Sequence, residues 1–458
     1  MSGGSTQTGD SASRADVLWT WPDLCGAVGL DPVDGPAVSR VVTDSRLCQP
    51  GDLFVALRGD PGARFNPSKR SVVDGHHYLA AAAEAGAVGA LVERHVSTVD
   101  LPQLVTADTY DALWQLAGSA RSRYAGTVIA VTGSSGKTTT KTFLAAALDA
   151  YAAPGSYNNH IGVPLTLINL PPAAAAVVVE IGTNHPGEIE PLARLTAPHW
   201  AVVLNVQSAH LENFADRNAL REEKLSIFKG LRDKSNAISH DLLALDTGHS
   251  FGESDAADAR LLGMIDLARC RLSLAGEEYE ATVPGGGVHR ALAVTVTALL
   301  SQLVNGSVAP ALSLPQTLLP AGRGNLREVG GVTIVDESYN ANPSSMTAAL
   351  ETFLADVPPS GRRVGVIGAM GELGALATSA HEALAPLLMR LDAAYCVGED
   401  LQAVAQAHGL PWAPAADENF TAGVADALAA GDRVLVKGSN GVFWQRGFVD
   451  ALARAVES

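Results

Sequence analysis

Three observations predict an α/β protein of three domains. The chain has 458 residues, enough for about three cores at roughly 150 residues per domain. Short runs rich in valine and isoleucine alternate with alanine-rich stretches of helical character. That rhythm belongs to parallel sheets, which bind ligands at the carboxyl ends of their strands. One of these strands also runs directly into a glycine–serine turn and a helix, the setting a phosphate-binding loop requires.

Composition narrows the class. Hydrophobic residues make up 47% of the chain and charged residues 17%, which is the balance of a globular protein. With 32 basic and 48 acidic side chains the formal charge is −16. This argues against nucleic acid as a partner, because a phosphate backbone needs a basic surface. A local pocket of backbone N–H groups and a few cations can still hold an anion. Cys25, Cys48, Cys270 and Cys396 are scattered, without a C-x-x-C pair. Neither a disulfide framework nor structural zinc is expected, and a reducing cytosol is the simplest compartment. Residues 1–15 are rich in Ser, Gly and Thr and read as a disordered tail, not a secretory signal. The longest apolar runs, Ala173–Val179 and Ala291–Leu300, are too short to span a bilayer, so no membrane insertion is expected.

The three blocks follow in order. Residues 16–106 mix short strands (Val38–Thr43, Asp52–Leu57, Val88–Val92) with proline–glycine turns, and Pro61–Val73 reads as a polar, basic loop. Residues 107–310 hold the strands Thr127–Thr132, Val177–Ile181 and Ala201–Val206 and a helix over Thr139–Tyr151. Residues 311–458 begin after a proline-punctuated stretch. They repeat the rhythm with Thr333–Val335, Arg363–Ile367, Ala394–Val397 and Arg433–Val436.

Thr132-Gly133-Ser134-Ser135-Gly136-Lys137-Thr138-Thr139 carries the strongest chemistry. Small residues let backbone N–H groups approach phosphate oxygens, and the following helix adds the positive end of its dipole. Lys137 can reach β- and γ-phosphates, and the Thr138 hydroxyl can ligate Mg²⁺. Val131 stands where the generic pattern has its first glycine. Glu180, ending the strand AVVVE, is either a solvated carboxylate or a metal ligand. His210, beyond the strand ending at Asn205, is either structural or part of the same site. Lys224 lies on an apolar helix stripe with Leu220, Ile227, Phe228 and Leu231. There it either snorkels outward or sits in a cleft with a depressed pKa.

In the third block, Asp336-Glu337-Ser338-Tyr339-Asn340-Ala341-Asn342-Pro343-Ser344-Ser345-Met346 crowds polar groups between a strand and a helix. It reads as caps and turn formers, or as a loop that binds ribose or an amide. Arg323 between Gly322 and Gly324 suits an anionic ligand. Gly368–Gly374 follows a strand without the G-x-G-x-x-G spacing, and Lys437 places a cation at the end of the last strand.

Together these motifs resemble the Mur ligase family, the ATP-dependent amide ligases of peptidoglycan precursor assembly. The matching pieces are TGSSGKTTTK, NNHIGVPLTL, EIGTNHPGEI, NVQSAHLENF, Lys224, GRG, DESYNANPSSM, GAMGELG and VLVKGS. Thr43–Arg46, Pro50–Leu57 and Asp74–His76 match in the first block. The YNANP motif and the GEI after the glutamate look like the branch that adds D-alanyl-D-alanine.

The resemblance implies a UDP-sugar-binding first domain, a central ATP-binding domain and a Rossmann-like third domain that binds the amino acid or dipeptide. It implies a cytoplasmic enzyme acting as a single chain, whose partners are UDP-N-acetylmuramoyl-tripeptide and D-Ala-D-Ala, joined through an acyl phosphate. Carried over residue by residue, ATP would meet Gly133, Ser134, Ser135, Gly136, Lys137, Thr138, Thr139, Asn159, Arg323, Asp336, Tyr339 and Asn340. Lys137, His210 and Lys224 would be catalytic. Thr138 and Glu180 would hold one Mg²⁺, and His210 with a carbamylated Lys224 a second. Asp44, Ser45, Arg46, Asp74, Gly75, His76, Asn342 and Lys437 would contact the other substrates.

Three departures from the family pattern stand out. Gly287 and Arg290 replace two asparagines expected to help bind adenine and ribose. Ser226 replaces an acid two residues after the lysine. The Pro61–Val73 loop is extra. These leave room for a related ligase with another substrate pair, or a weakened nucleotide-binding homologue.

Overall fold

The computed structural model describes residues 17–61, 65, 73–207, 213–246, 248–356 and 361–457. The tail at 1–15, most of the 61–73 loop and His210 lie outside the described residues. The architecture is α/β with three sheets. Contacts divide the chain into two compact units, Met1–Ala125 with His160–Ala174, and Gly126–Asn159 with Ala175–Ser458. No helix of the described residues is long and apolar enough to cross a membrane.

The first unit carries β1 (Arg40–Val42), β2 (Asp52–Val55), β3 (Gly89–Val92) and β4 (Gln103–Val105), ordered as numbered. All pair in parallel. Their carboxyl ends therefore share one edge, where Asp44, Glu93, Arg94 and Asp108 collect. The helix Thr109–Arg123 starts at Asp108, whose side chain accepts the N–H of Asp111, a cap of about 1 kcal/mol. The helix Gly162–Ile168 is tied in by Asn169, which bonds both the N–H and the carbonyl of Val41. The Trp19 indole completes the tie by donating to the Ile168 carbonyl at 3.1 Å.

The second unit holds two sheets. The larger comprises β5 (Thr127–Thr132), β6 (Ala176–Glu180), β7 (Trp200–Val203), β8 (Ala237–His240), β9 (His249–Gly252), β10 (Ala259–Asp266), β11 (Arg269–Leu274) and β12 (Glu277–Thr282), in the order β12-β11-β10-β9-β8-β7-β5-β6. From β6 to β10 the pairing is parallel. Then β10, β11 and β12 extend the sheet as an antiparallel meander, which a parallel-sheet reading did not include. The meander alternates buried and exposed residues, as in Arg269–Leu274, because only one of its faces packs on the core. The chain passes from β5 to β6 on one side and later to β7 on the other. The switch point, where open α/β sheets bind ligands, therefore falls at the end of β5.

The other sheet comprises β13 (Asn325–Val329), β14 (Val332–Glu337), β15 (Arg363–Gly368), β16 (Ala393–Val397), β17 (Trp412–Ala413) and β18 (Arg433–Lys437), in the order β13-β14-β18-β15-β16-β17. All pairs are parallel except β13–β14. Separate apolar clusters line its two faces, one around Leu350, Ile367 and Leu401, the other around Val364, Val434 and Phe448. The strands' consecutive apolar residues reflect this double burial.

Candidate active site

The turn after β5 forms a phosphate-type cradle. Gly136 takes φ 79° as N-cap of the helix Lys137–Leu148, a left-handed conformation that favours glycine. Lys137 Nζ folds back to the Gly133 carbonyl at 2.8 Å. Burial, offset in part by Glu180, lowers the Lys137 ammonium from its ordinary value. Asn205, just beyond β7, shapes the loop. Its carbonyl oxygen accepts the N–H groups of Ser134 and Ser135, at 3.0 and 3.1 Å. The Ser135 hydroxyl donates to Gln207 Oε1 at 2.8 Å.

Thr138 Oγ1 donates to Glu180 Oε2 at 2.8 Å and lies 3.0 Å from Ser156 Oγ. Asn158 donates to the other carboxylate oxygen, Oε1, at 2.8 Å. Lys141 Nζ stands 3.8 Å from Glu180 Oε2 and donates to the carbonyls of Ala153 and Gly155. These hard oxygens fit a divalent cation such as Mg²⁺. Among the described residues no group of three His, Cys, Asp or Glu is placed to hold a metal alone.

A cavity of about 630 Å³ opens over this loop and is lined by residues of both sheets of the second unit. Ser134, Ser135, Gly136, Lys137, Thr138, Thr139, Glu180, Arg323, Tyr339, Asn340, Asn342 and Lys437 line it. Gly133 contributes its carbonyl to Lys137. Arg323 Nη2 donates to Ser156 Oγ at 3.2 Å, and its guanidinium lies 4.2 Å over the Tyr339 ring. Trp444 meets Tyr339 edge-on, with ring centroids 5.4 Å apart. Asn342 accepts the N–H of Ser345 and caps the helix Pro343–Ala355, which therefore begins earlier than Met346.

Two expected residues lie elsewhere. Asp336 faces a smaller groove with Arg327 and Phe448, and accepts the N–H and hydroxyl of Ser338. Alternation along β14 sends Asp336 and Glu337 to opposite faces, so it is Glu337 that lines the main cavity. Asn159 is exposed and its neighbour Asn158 is the lining residue. Period-two alternation separates the two acids, but only the packing of β14 shows which of its faces borders the cavity. Nothing in the sequence distinguished Asn158 from Asn159, or marked Ser156 and Gln207.

Glu337 is held by the Arg290 guanidinium and, at 3.5 Å, by Lys437 Nζ. Burial pushes its carboxyl up, but the two cations outweigh burial and bring its pKa down to about 2. Arg290 is 5% exposed. Gly287, at φ 86°, leaves no room for a side chain, because an added Cβ would meet Thr352 Oγ1 at 2.2 Å. The departure at this position thus follows from the packing of two helices.

Lys224 is 1% exposed on the helix Arg217–Leu225, so it does not snorkel outward. Burial first, then the charge of Lys137, pushes its ammonium down to about 7. Its neighbour Glu223 accepts the N–H groups of Gly187 and Ile189, at 2.7 and 2.8 Å, anchoring the loop after β6. Ser226, where an acid was expected, bonds the Glu223 carbonyl through its hydroxyl.

In the first unit, Asp44 caps a short turn over Ser45–Leu47 and pairs with Arg46 at 2.6 Å. Asp74 caps the turn beginning at Gly75, accepting from the His76 backbone and Arg94 and meeting His76 Nδ1 at 2.6 Å. His76 Nε2 accepts the Glu93 N–H, which assigns the ring proton to Nδ1.

Two family patterns match this chain, the Mur ligase middle domain over residues 131–247 and the Mur ligase, glutamate ligase domain over residues 322–440. The chain is 35% identical over 403 residues to the UDP-N-acetylmuramoyl-tripeptide–D-alanyl-D-alanine ligase of Escherichia coli (strain K12), covering 81% of this chain and 84% of that protein. Crystal structure I of MurF from Acinetobacter baumannii superposes with a TM-score of 0.78 at 28% identity, covering 95% of this chain and 99% of that one. MurF ligase from Thermotoga maritima in complex with ADP gives 0.73 at 28% identity, covering 91% and 98%. The chain belongs to the Mur ligase family. Its similarity runs to the MurF branch in particular, across nearly the whole length of those structures.

Proposed function

We propose that the protein is an ATP-dependent, ADP-forming ligase that joins D-alanyl-D-alanine to UDP-N-acetylmuramoyl-tripeptide in peptidoglycan precursor synthesis. The observation that carries this reading is the single cavity in which Lys137, Thr138 and Glu180 meet Arg323, Tyr339 and Lys437, in a chain 35% identical to a ligase of that name.

In this reading a carboxylate oxygen of the tripeptide attacks the γ-phosphorus of ATP and ADP leaves. The dipeptide amine then attacks the acyl carbon, and the C–O bond to phosphate breaks. Lys137, from the loop after β5, and Arg323, from the turn before β13, bind the phosphate oxygens, and preorganised charge supplies most of the acceleration. Thr138 and Glu180 would hold a Mg²⁺ ion, which would supply further charge neutralisation when bound. Lys224, buried and able to lose its proton, would form an N–C bond to CO₂ through its neutral amine and release one proton, and the resulting carbamate would, with His210, hold a second ion. Glu337, Tyr339 and Asn340 line the nucleoside end, and Asn342 and Lys437 face the incoming dipeptide. The turns at Asp44-Ser45-Arg46 and Asp74-Gly75-His76 hold the uridine end of the nucleotide sugar. The working domains are 16–106, 107–310 and 311–458, in a monomer acting in the cytoplasm.

Phosphate release with ATP and both substrates, each omitted in turn, tests the reading. Release only with all three supports it, and release with a different amine or carboxylate overturns the substrate assignment.

A further inference from the structure

The buried Arg290 is tied to three separate segments. Its Nη1 donates to the carbonyls of Gly285 and Gly286, at 2.9 and 3.3 Å. Its Nη2 donates to the Arg323 carbonyl at 2.9 Å and to Glu337 Oε1. Four of the five guanidinium donors are thus engaged within the protein, which leaves little to offer a ligand. A planar fork can reach this set of acceptors, whereas neither an asparagine nor the point charge of a lysine can.

The tie to Arg323 leads on to the phosphate loop. The Arg323 backbone is held by Arg290, its guanidinium is stacked on Tyr339, and its Nη2 donates to Ser156, which touches Thr138. The same turn is also bonded to β14 through Gly324 N–H to the Asp336 carbonyl, so its position on the sheet side is independently set. Arg290 supplies the charged tie on the side of the helix Val288–Asn305.

We propose that Arg290 is a positioning residue for phosphoryl transfer, holding the Arg323 turn so that the Arg323 guanidinium points at the phosphate loop. The inference rests on the reading of Arg323 as a phosphate ligand. It assigns a purpose to the arginine that stands where the family pattern has an asparagine.

A double-mutant cycle tests it, with Arg290→Lys, Arg323→Ala and the double variant compared for kcat, for KM of ATP and for ADP affinity. Arg290→Lys is expected to lower kcat about ten-fold while ADP affinity stays within about two-fold. In the Arg323→Ala background it should cause no further loss, because the effect travels through Arg323. Losses that multiply would overturn the proposal by showing independent action. So would a parallel fall in ADP affinity, which would place the effect at the nucleotide itself, by direct contact or through Glu337, and not at the Arg323 turn. Arg290→Gln repeats the cycle should the lysine variant not fold, with thermal midpoints recorded for every variant. A wild type without ATP-dependent phosphate release would sink the ligase reading itself. An active wild type indifferent to Arg323→Ala would leave that reading standing and overturn this one.

Discussion

Thr138 and Glu180, 42 residues apart in sequence, are joined by a 2.8 Å hydrogen bond from Oγ1 to Oε2. The hydroxyl comes from the first turn of the helix after β5, and the carboxylate from the end of the neighbouring β6. A hydroxyl and a carboxylate at this spacing, flanked by Ser156 and Asn158, would serve as two oxygen ligands of the ion in the proposed mechanism. Glu180→Gln keeps the hydrogen-bond geometry and removes the charge. It is expected to lower kcat at least about 100-fold and to raise the Mg²⁺ concentration needed for half-maximal rate. Steady-state kinetics across a magnesium titration measures both, and an unchanged magnesium dependence would contradict the assignment.

Lys224 is the second point at which chemistry and burial meet. Replacing it by alanine opens a hole where an anionic ligand is proposed. Activity is expected to fall at least about 100-fold and to recover in part when a small carboxylic acid is added. An unaffected rate, or a loss that no carboxylate relieves, would defeat the carbamate.

The neighbours Asp336 and Glu337 have been given opposite roles. Glu337→Gln is expected to raise KM for ATP about ten-fold, and Asp336→Asn to change it less than about two-fold. The reverse order would return Asp336 to the nucleotide site.

Glu337 also makes an acid-stability prediction. Its carboxyl is lowered from 4.5 to about 2 by Arg290 and Lys437. The native state therefore favours the ionised form more than the unfolded chain does. The resulting stability is fully present above pH 4.5 and is lost as pH falls toward 2. Denaturant unfolding of wild type and Glu337→Gln from pH 6 to pH 3 should show the wild-type advantage shrinking with acidification. A gap independent of pH would mean that the charged pair contributes nothing to it.

Much of this was legible in the sequence because strand–turn–helix junctions carry local signatures. The glycine–serine loop and the β-branched strands follow from local patterns, and the structure has them as read. The helix bearing Lys224 instead ends at Leu225 and tightens into a 3-10 turn over Ser226–Gly230, so the apolar stripe does not continue as one α-helical face to Leu231. The family resemblance points to Asp336, and adjacent acids look alike in sequence until the face of β14 that each occupies is known. The antiparallel strands β10–β12 lack the continuous apolar runs that mark the parallel strands, because one face is solvated and carries polar and charged residues at alternate positions. Arg290 appeared only as a missing asparagine. Its acceptors, at Gly285, Arg323 and Glu337, are brought together by tertiary packing that no local pattern records.

The central claim is amide formation through an acyl phosphate, and a heavy-oxygen isotope tests it most directly. The terminal carboxylate of the tripeptide substrate is labelled, the reaction is run with ATP and D-Ala-D-Ala, and the inorganic phosphate is analysed by mass spectrometry. Because a carboxylate oxygen attacks phosphorus and leaves with it, the account predicts one labelled oxygen in each phosphate released. Phosphate without label, formed while the amide product accumulates, would contradict it.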